Sequence, residues 1–306
     1  MSKKVILITG ATGLVGTALL GFLNQKPEYE LRYLTRSKKP TTYLNATGFH
    51  WDPSKFELDR DAIKGVDVII NLAGASVAER WSARHKKAIL DSRIDSLETL
   101  ERALKKTKGV SKLISASAIG IYKSDLEAMY TEDSTEFDSG FLSDVVQKWE
   151  SKITSCAALV EHTHILRFGI VLSTKGGALE KLIQPAKLGF GAALGNGTQW
   201  QSWIHIDDLV RLIEWVIVSD APALLNAVAP NPVTAAELSR KLSHTLHKPF
   251  WLKRIPEPLV RILLGEMSEV VLQSQRVLPE AAREAGFNFN FSTIETALDD
   301  LIRCGK

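Results

Sequence analysis

Gly10-Ala11-Thr12-Gly13-Leu14-Val15-Gly16 is the stretch of the chain best suited to hold an anion. It follows the apolar run Val5-Ile6-Leu7-Ile8 and opens an apolar, helix-like segment that ends near Leu23. A buried strand, a glycine turn and a helix start in that order turn free backbone N–H groups toward a phosphate. Gly10 suits the tight turn, Gly13 lets the backbone approach a pyrophosphate, and Gly16 lets the helix lie close on the strand. The spacing is G-x-x-G-x-x-G rather than G-x-G-x-x-G, so a plain turn is the alternative. The flanking strand and helix favour the phosphate cradle.

A second group of residues bears on the choice of dinucleotide. The run Leu31-Arg32-Tyr33-Leu34 ends in Thr35-Arg36-Ser37. An acidic residue at this strand end would bond the ribose hydroxyls of NAD, and none is there. Arg36, with Lys38 close by, can pair with a 2′-phosphate, which points to NADP(H); an ordinary surface arginine is the other reading. After the strand ending at Asn71, Leu72-Ala73-Gly74 can lie against the adenosine side of a cofactor or make a simple turn. Arg93, within a helical stretch from about Lys86 to Lys106, has no apolar role. Spacing alone leaves it either cofactor-facing or solvated.

These residues need a scaffold, and the first 170 residues supply its pattern. Candidate strands at Val5–Ile8, Leu31–Leu34, Val66–Asn71, Lys112–Ser115 and His164–Phe168 alternate with helical stretches. Strands spaced by helices of this length imply crossover connections and a parallel sheet, hence a doubly wound α/β fold. The second half is less regular. Glycine-rich loops surround Gly176 and Gly191–Gly197, a helix spans 205–218, and Thr234 with Glu237 makes a helix-start pattern. The tail from Pro256 to Leu301 reads as mainly helical. The expected division is a nucleotide-binding domain over 1–172, with helix 205–218 packing back on it, and a smaller substrate lobe over 173–306.

Composition narrows the partners. The 306 residues are 45% hydrophobic, enough for one large domain or a domain with a smaller lobe. With 38 basic and 35 acidic residues and no basic stripe, nucleic acid is not an expected partner. No apolar run approaches the ~20 residues that span a bilayer. Met1-Ser2-Lys3-Lys4 runs directly into the first strand and does not read as a signal peptide. The two cysteines, Cys156 and Cys304, fit a reducing cytoplasm better than a disulfide framework or a zinc site, and no metal is expected.

Taken with Asn71-Leu72-Ala73-Gly74, Arg80-Trp81-Ser82, Ser92-Arg93 and Lys148-Trp149-Glu150, the glycine loop carries a family resemblance. Arg167-Phe168-Gly169-Ile170-Val171-Leu172, Trp203-Ile204-His205-Ile206-Asp207-Asp208-Leu209 and Asn226-Ala227-Val228-Ala229-Pro230 extend it over nearly the whole chain. The sequence resembles the epimerase-family branch of the atypical and extended short-chain dehydrogenases/reductases. The resemblance implies an extended Rossmann domain with a small C-terminal substrate lobe and bound NADP(H). Carried over by position, the implied cofactor contacts are the glycine loop, Thr35, Arg36, Leu72, Ala73, Arg93 and Val171. A small-molecule substrate and a monomer or homodimer are expected.

Enzymes of this type use a Tyr-x-x-x-Lys pair with a serine or threonine. The lysine helps a tyrosine of ordinary pKa near 10 act as acid or base at neutral pH. Ser117, with Ser115 second, stands where the hydroxyl is expected. The helix from Phe141 to Glu150 has no tyrosine; aligned on Glu150, it puts Leu142 and Val146 at the two key positions. Tyr122, Lys148 and His205 are then candidate substitutes, although a packed aromatic, a solvated lysine and a helix-capping histidine explain them as well. Trp200, Trp203 and the Gly191–Gly197 loop suggest a flat substrate wall. The expected function is oxidoreduction of a small carbonyl or sugar-like compound. A non-catalytic NADP(H) sensor or scaffold, and a nucleotide-sugar epimerase, are the alternatives.

Overall fold

A computed structural model describes residues 3–252 and 254–304, the side chain of Cys304 excepted, so the Met1-Ser2 start lies outside the described residues. Its centre is a sheet of eight strands: β1 (Lys4–Thr9), β2 (Tyr29–Thr35), β3 (Thr47–Asp52), β4 (Glu57–Leu58), β5 (Val68–Asn71), β6 (Lys112–Ala118), β7 (His162–Phe168) and β8 (Leu224–Ala227). They lie in the order β8-β7-β6-β5-β1-β2-β3-β4. Every pairing is parallel except β3 with β4. The chain fills one side of β1 and then returns to fill the other, which makes the β1–β5 boundary the topological switch point where such sheets bind ligands.

Apolar runs make these strands because both faces are covered. In β1, Ile6 and Ile8 pack with Leu19, Leu20 and Leu23 of α1 (Leu14–Leu23). Leu7, on the opposite face, joins Leu100 and Leu104 of α2 (Ala83–Leu104). Next in chain order come α3 (Phe141–Ser155), α4 (Gly177–Lys187), α5 (Ile206–Val218), α6 (Ala235–Thr245) and α7 (Glu257–Leu264). Helix α5 covers the α1 side through Leu209, Val210, Ile213 and Val216. Its last turn is fastened by Lys112, whose Nζ donates to Val216 O at 2.8 Å and Ser219 O at 2.6 Å. The second cluster joins α4 and α6 to Trp203 and to Ile294, Ala297 and Leu298 near the C-terminus. No helix among the described residues is long and apolar enough to cross a membrane. Cys156 is a free buried thiol, pushed up to about 11 by burial.

Three strands of this sheet escape the sequence reading. The β3–β4 pair carries mixed side chains at the sheet edge, and β8 lies far along the chain, within the span expected to be lobe. It returns to pair with β7, Asn226 opposite Arg167. The tail is mainly helical, as expected, but in short pieces. Gly265 ends α7 with φ +61, and Pro279 and Gly286 bound a five-residue turn of helix. Arg276–Val277 instead pairs in parallel with Met129–Tyr130.

The tail is fastened to α5 by one carboxylate. Asp208, fully buried, accepts from Asn290 N at 3.0 Å, Phe291 N at 2.8 Å and an Arg211 guanidinium N–H at 2.6 Å. Asp208→Ala strands these donors and should lower unfolding stability by about 3 kcal/mol in a urea titration. A loss below about 0.5 kcal/mol would show that other contacts hold the tail.

Candidate functional site

A cleft of about 530 Å³ opens at the switch point. The glycine loop, Leu72–Gly74, Arg93, Ser117 and Val171 all line it. Gly10 holds φ +66, and a Cβ on it would sit 2.6 Å from Leu72 O. A Cβ on Gly16 would strike Gly10 O and Ala11 Cα. Leu14 and Val15 face the cleft from the first turn of α1. That helix starts at Gly13 with no side-chain cap, so its first N–H groups stay free for a ligand. Thr9 holds the opposite lip: its Oγ accepts from Leu72 N at 3.0 Å and Ala73 N at 3.1 Å and donates to Asn71 Oδ1. A cradle that side chains would fill, faced by unbonded backbone donors, fits the pyrophosphate of a dinucleotide.

Arg93 closes this half of the cleft. A guanidinium N–H donates to Ala75 O at 3.1 Å and Ile89 O at 2.8 Å, and the group lies over the Trp149 ring with Cζ 4.9 Å from its centroid. No carboxylate pairs with it among the described residues, and burial pushes its pKa down to about 10. A partly buried cation held only by carbonyls and a ring has spare capacity for an anion. Thr12 is exposed and does not line the cleft. Thr35 and Arg36 lie outside its wall as well; the register pairing Ile8 with Tyr33 carries them level with the glycine loop. Arg36 is exposed, with no hydrogen-bond or ion-pair partner among the described residues.

The other half contains Ser117 at the end of β6. Its Oγ donates to Glu150 Oε1 at 2.6 Å. Glu150, on α3, receives Arg167 Nε at 2.8 Å on the same oxygen and a second Arg167 N–H at 2.7 Å on Oε2. Burial pulls the Arg167 pKa down, but Glu150 and Tyr122 raise it overall, so the guanidinium stays charged. The Ser117 proton is therefore committed to an ion-paired carboxylate, and its lone pairs remain for the cleft. Ser115 has a structural part: its Oγ accepts from Asn71 Nδ2 at 3.1 Å and donates to Ala116 O.

Two expected catalytic groups lie elsewhere. Tyr122 is fully buried, with its OH against Asn226 Oδ1 at 2.8 Å, Thr131 O at 3.0 Å and an Arg167 N–H at 2.8 Å. Burial raises its pKa, and it does not line the cleft, which corrects its expected place beside a nicotinamide. Lys148 points to solvent and pairs with Asp144 at 2.8 Å, one helical turn away, so it cannot reach a cofactor ribose from that face. His205 caps α5: its Nδ1 accepts from Asp207 N at 3.1 Å, and its ring stacks on Phe291. Asp300 and Asp207 also approach His205, the three offering ligand atoms within 4.8 Å. Its Nδ1 is held by the cap, which leaves the proton to Nε2; Asp300 Oδ2 lies 3.2 Å from that nitrogen but off the line of a hydrogen bond. Trp200 lines the cleft, while Trp203 is buried in the second hydrophobic cluster, its indole N–H donating to Asn231 O.

Leu142 and Val146 line the cleft from α3, so the positions of the usual Tyr and Lys do face it, with apolar side chains. Sequence reasoning missed the roles of Glu150 and Arg167. A charged residue inside the strand run His164–Phe168 was the available signal, because a buried arginine requires a buried partner.

Comparison with known proteins agrees with this geometry. Residues 6–140 match the NAD dependent epimerase/dehydratase family, and 255–301 match a domain of unknown function (DUF1731). The chain is 37% identical over 304 residues to an epimerase family protein of Staphylococcus epidermidis, covering 98% of this chain and 99% of the relative. It is equally 37% identical over 299 residues to epimerase family protein YfhF of Bacillus subtilis, covering 97% of each. Among solved structures, human epimerase family protein SDR39U1 with NADPH superposes with a TM-score of 0.86 at 26% identity, covering 98% of this chain and 99% of that one. A nucleoside-diphosphate sugar epimerase from Corynebacterium glutamicum gives 0.79 at 30% identity, covering 98% and 58%.

Arg93 offers a direct check of the anion site. Arg93→Met should leave the folding stability of the free protein within about 1 kcal/mol, since an unpaired charge is exchanged for apolar contact. It should weaken dinucleotide binding at least about tenfold, measured by fluorescence titration. A variant that loses stability but binds normally would make Arg93 a structural residue.

Proposed function

The chain belongs to the epimerase family of NAD(P)-binding, short-chain dehydrogenase/reductase-type proteins, and from that premise we propose that it is an NADP(H)-dependent oxidoreductase acting on a small hydroxy or carbonyl compound. The observation that carries the reading is Ser117, in the wall of a dinucleotide cleft and hydrogen-bonded to the buried Glu150–Arg167 pair. Preference for NADP(H) is supported by Arg36, a free guanidinium level with the glycine loop, and by the NADPH carried by the human relative. The free, buried thiol of Cys156 suits a reducing cytoplasm.

The glycine loop and the first turn of α1 would hold the pyrophosphate, with Arg93 as counter-charge, and Arg36 would take the 2′-phosphate. When bound, the cofactor gives or takes a hydride at its nicotinamide. In the oxidation direction Ser117, its own proton held by Glu150, accepts from a substrate hydroxyl. As that hydroxyl carbon loses its hydride, the hydroxyl proton passes to Ser117 Oγ while the serine proton moves to Glu150. Reduction runs the same transfers in reverse. Arg167 keeps Glu150 oriented, and apolar Leu142 and Val146 keep water from that side of the cleft.

Those two side chains also favour a second reading, a non-catalytic NADP(H)-binding protein, since the usual proton-handling pair is absent from the wall. Epimerisation of a nucleotide sugar is a third reading, and the name of the Corynebacterium relative supports it.

Arg36→Ala should weaken NADPH binding at least about tenfold and leave NADH binding nearly unchanged; equal losses would remove the 2′-phosphate role. Ser117→Ala should reduce turnover about a hundredfold or more while sparing NADPH affinity, and full turnover in that variant would exclude the serine from the chemistry. If no hydroxy or carbonyl compound in a broad panel changes NADP(H) absorbance, the non-catalytic reading stands.

A further inference from the structure

Away from the glycine loop, the cleft wall is neutral. Leu142, Val145 and Val146 form it from α3, and Val270 adds to it from the short helix Ser268–Leu272. Its polar groups there are chiefly carboxamides. Gln275 Nε2 is tied to Tyr122 O at 2.7 Å, and Gln273 Nε2 reaches Asp138 Oδ2 at 3.4 Å. Gln201 is different: it is 9% exposed, lines the cleft and has no side-chain partner among the described residues. The neighbouring Trp200 supplies an aromatic wall.

Charge is confined to the cofactor side. Among the described residues lining the cleft, Arg93 is the only charged side chain, and it lies against Gly74, where a Cβ would come within 3.2 Å of its Cζ. Arg276 packs on the Trp200 ring, 4.4 Å from its centroid, but does not line the cleft. A dinucleotide needs Arg93 for its own pyrophosphate. A second pyrophosphate, on a nucleotide sugar, would leave water with no second cation in the cleft wall to receive it, and an unpaired buried anion is strongly disfavoured.

We propose, resting on the dinucleotide reading, that the far half of the cleft takes a neutral, mainly apolar hydroxy or carbonyl compound, that Gln201 hydrogen-bonds its polar end, and that nucleoside-diphosphate sugars are rejected. Specificity then comes from the absence of compensation for charge as much as from contact with the ligand.

The test separates the two levels. NADPH is first titrated against the intact chain by fluorescence; no binding overturns the dinucleotide reading and this inference together. With NADPH binding established, the protein is saturated with NADP+, and 1-tetralone (a neutral bicyclic ketone) and UDP-glucose are titrated separately by calorimetry. Tetralone should bind at least about tenfold tighter than UDP-glucose. Gln201→Ala should weaken tetralone about fivefold and leave NADP+ affinity unchanged, with Gln201→Leu as the second variant if the first does not fold. UDP-glucose binding as tightly as tetralone, no tetralone binding, or tetralone binding indifferent to both Gln201 variants overturns this inference and leaves the dinucleotide reading in place.

Discussion

The bidentate pair between Arg167 and Glu150 ties the site to the rest of the molecule. It joins β7, one strand in from the sheet edge, to α3 and turns one carboxylate oxygen toward Ser117. On its other side, Arg167 donates to Tyr122, whose hydroxyl meets Asn226 of β8. Asn226 continues the chain: its backbone N–H donates to Glu132, and its side-chain amide donates to Leu278 O. Burial raises the Glu132 pKa, although the carboxylate also accepts from Ala281 N. One polar path thus runs from the cleft wall through the sheet to the C-terminal tail. Removing either ion would leave its partner charged and buried, a far larger loss than the net gain from forming the pair. Such a network specifies one arrangement of strand, helix and tail, because few alternatives satisfy every donor.

What the sequence made legible follows from the range of the interactions. β1, the glycine loop and α1 are contiguous, and each local feature has a local cause, so the phosphate cradle could be read directly. The same holds for Leu142 and Val146, placed by counting along one helix. β8 could not be read this way. Four residues at Leu224–Ala227 become a strand only because β7 offers an edge, and no spacing within the segment announces that partner. Tyr122 shows a related limit. Its position five residues after Ser117 suggests proximity to the cleft, but the Ile119–Ile121 turn directs the ring into a separate apolar cluster with Tyr130 and Val277. Lys148 lies on the expected helix, but its solvent-facing pair with Asp144 removes it from the catalytic role for which it was a candidate.

The two arginines read as cofactor contacts illustrate two electrostatic situations. Arg36 is exposed, so water screens its charge and its discrimination would come from geometry at the end of β2. Arg93 is held at the cleft wall without an opposing carboxylate. Its charge is weakly compensated until an anion arrives, which makes its stabilisation conditional on the ligand. Its backbone-carbonyl partners and the Trp149 ring keep the group aimed while that anion is absent.

Loss of the usual tyrosine and lysine has a further physical consequence. In the ordinary arrangement, a lysine ammonium holds a tyrosine near the ionisation needed for proton exchange. Here no lysine lines the wall among the described residues, and the proposed reading leaves proton handling to a serine backed by a carboxylate that already has its own cation. Leu142 and Val146 make the medium around Ser117 less polar, and a hydrogen bond to an ion is stronger in such surroundings than in water. The apolar side chains and the buried pair are therefore complementary: the first keep the wall dry, and the second gives the Ser117 hydroxyl a fixed orientation in it.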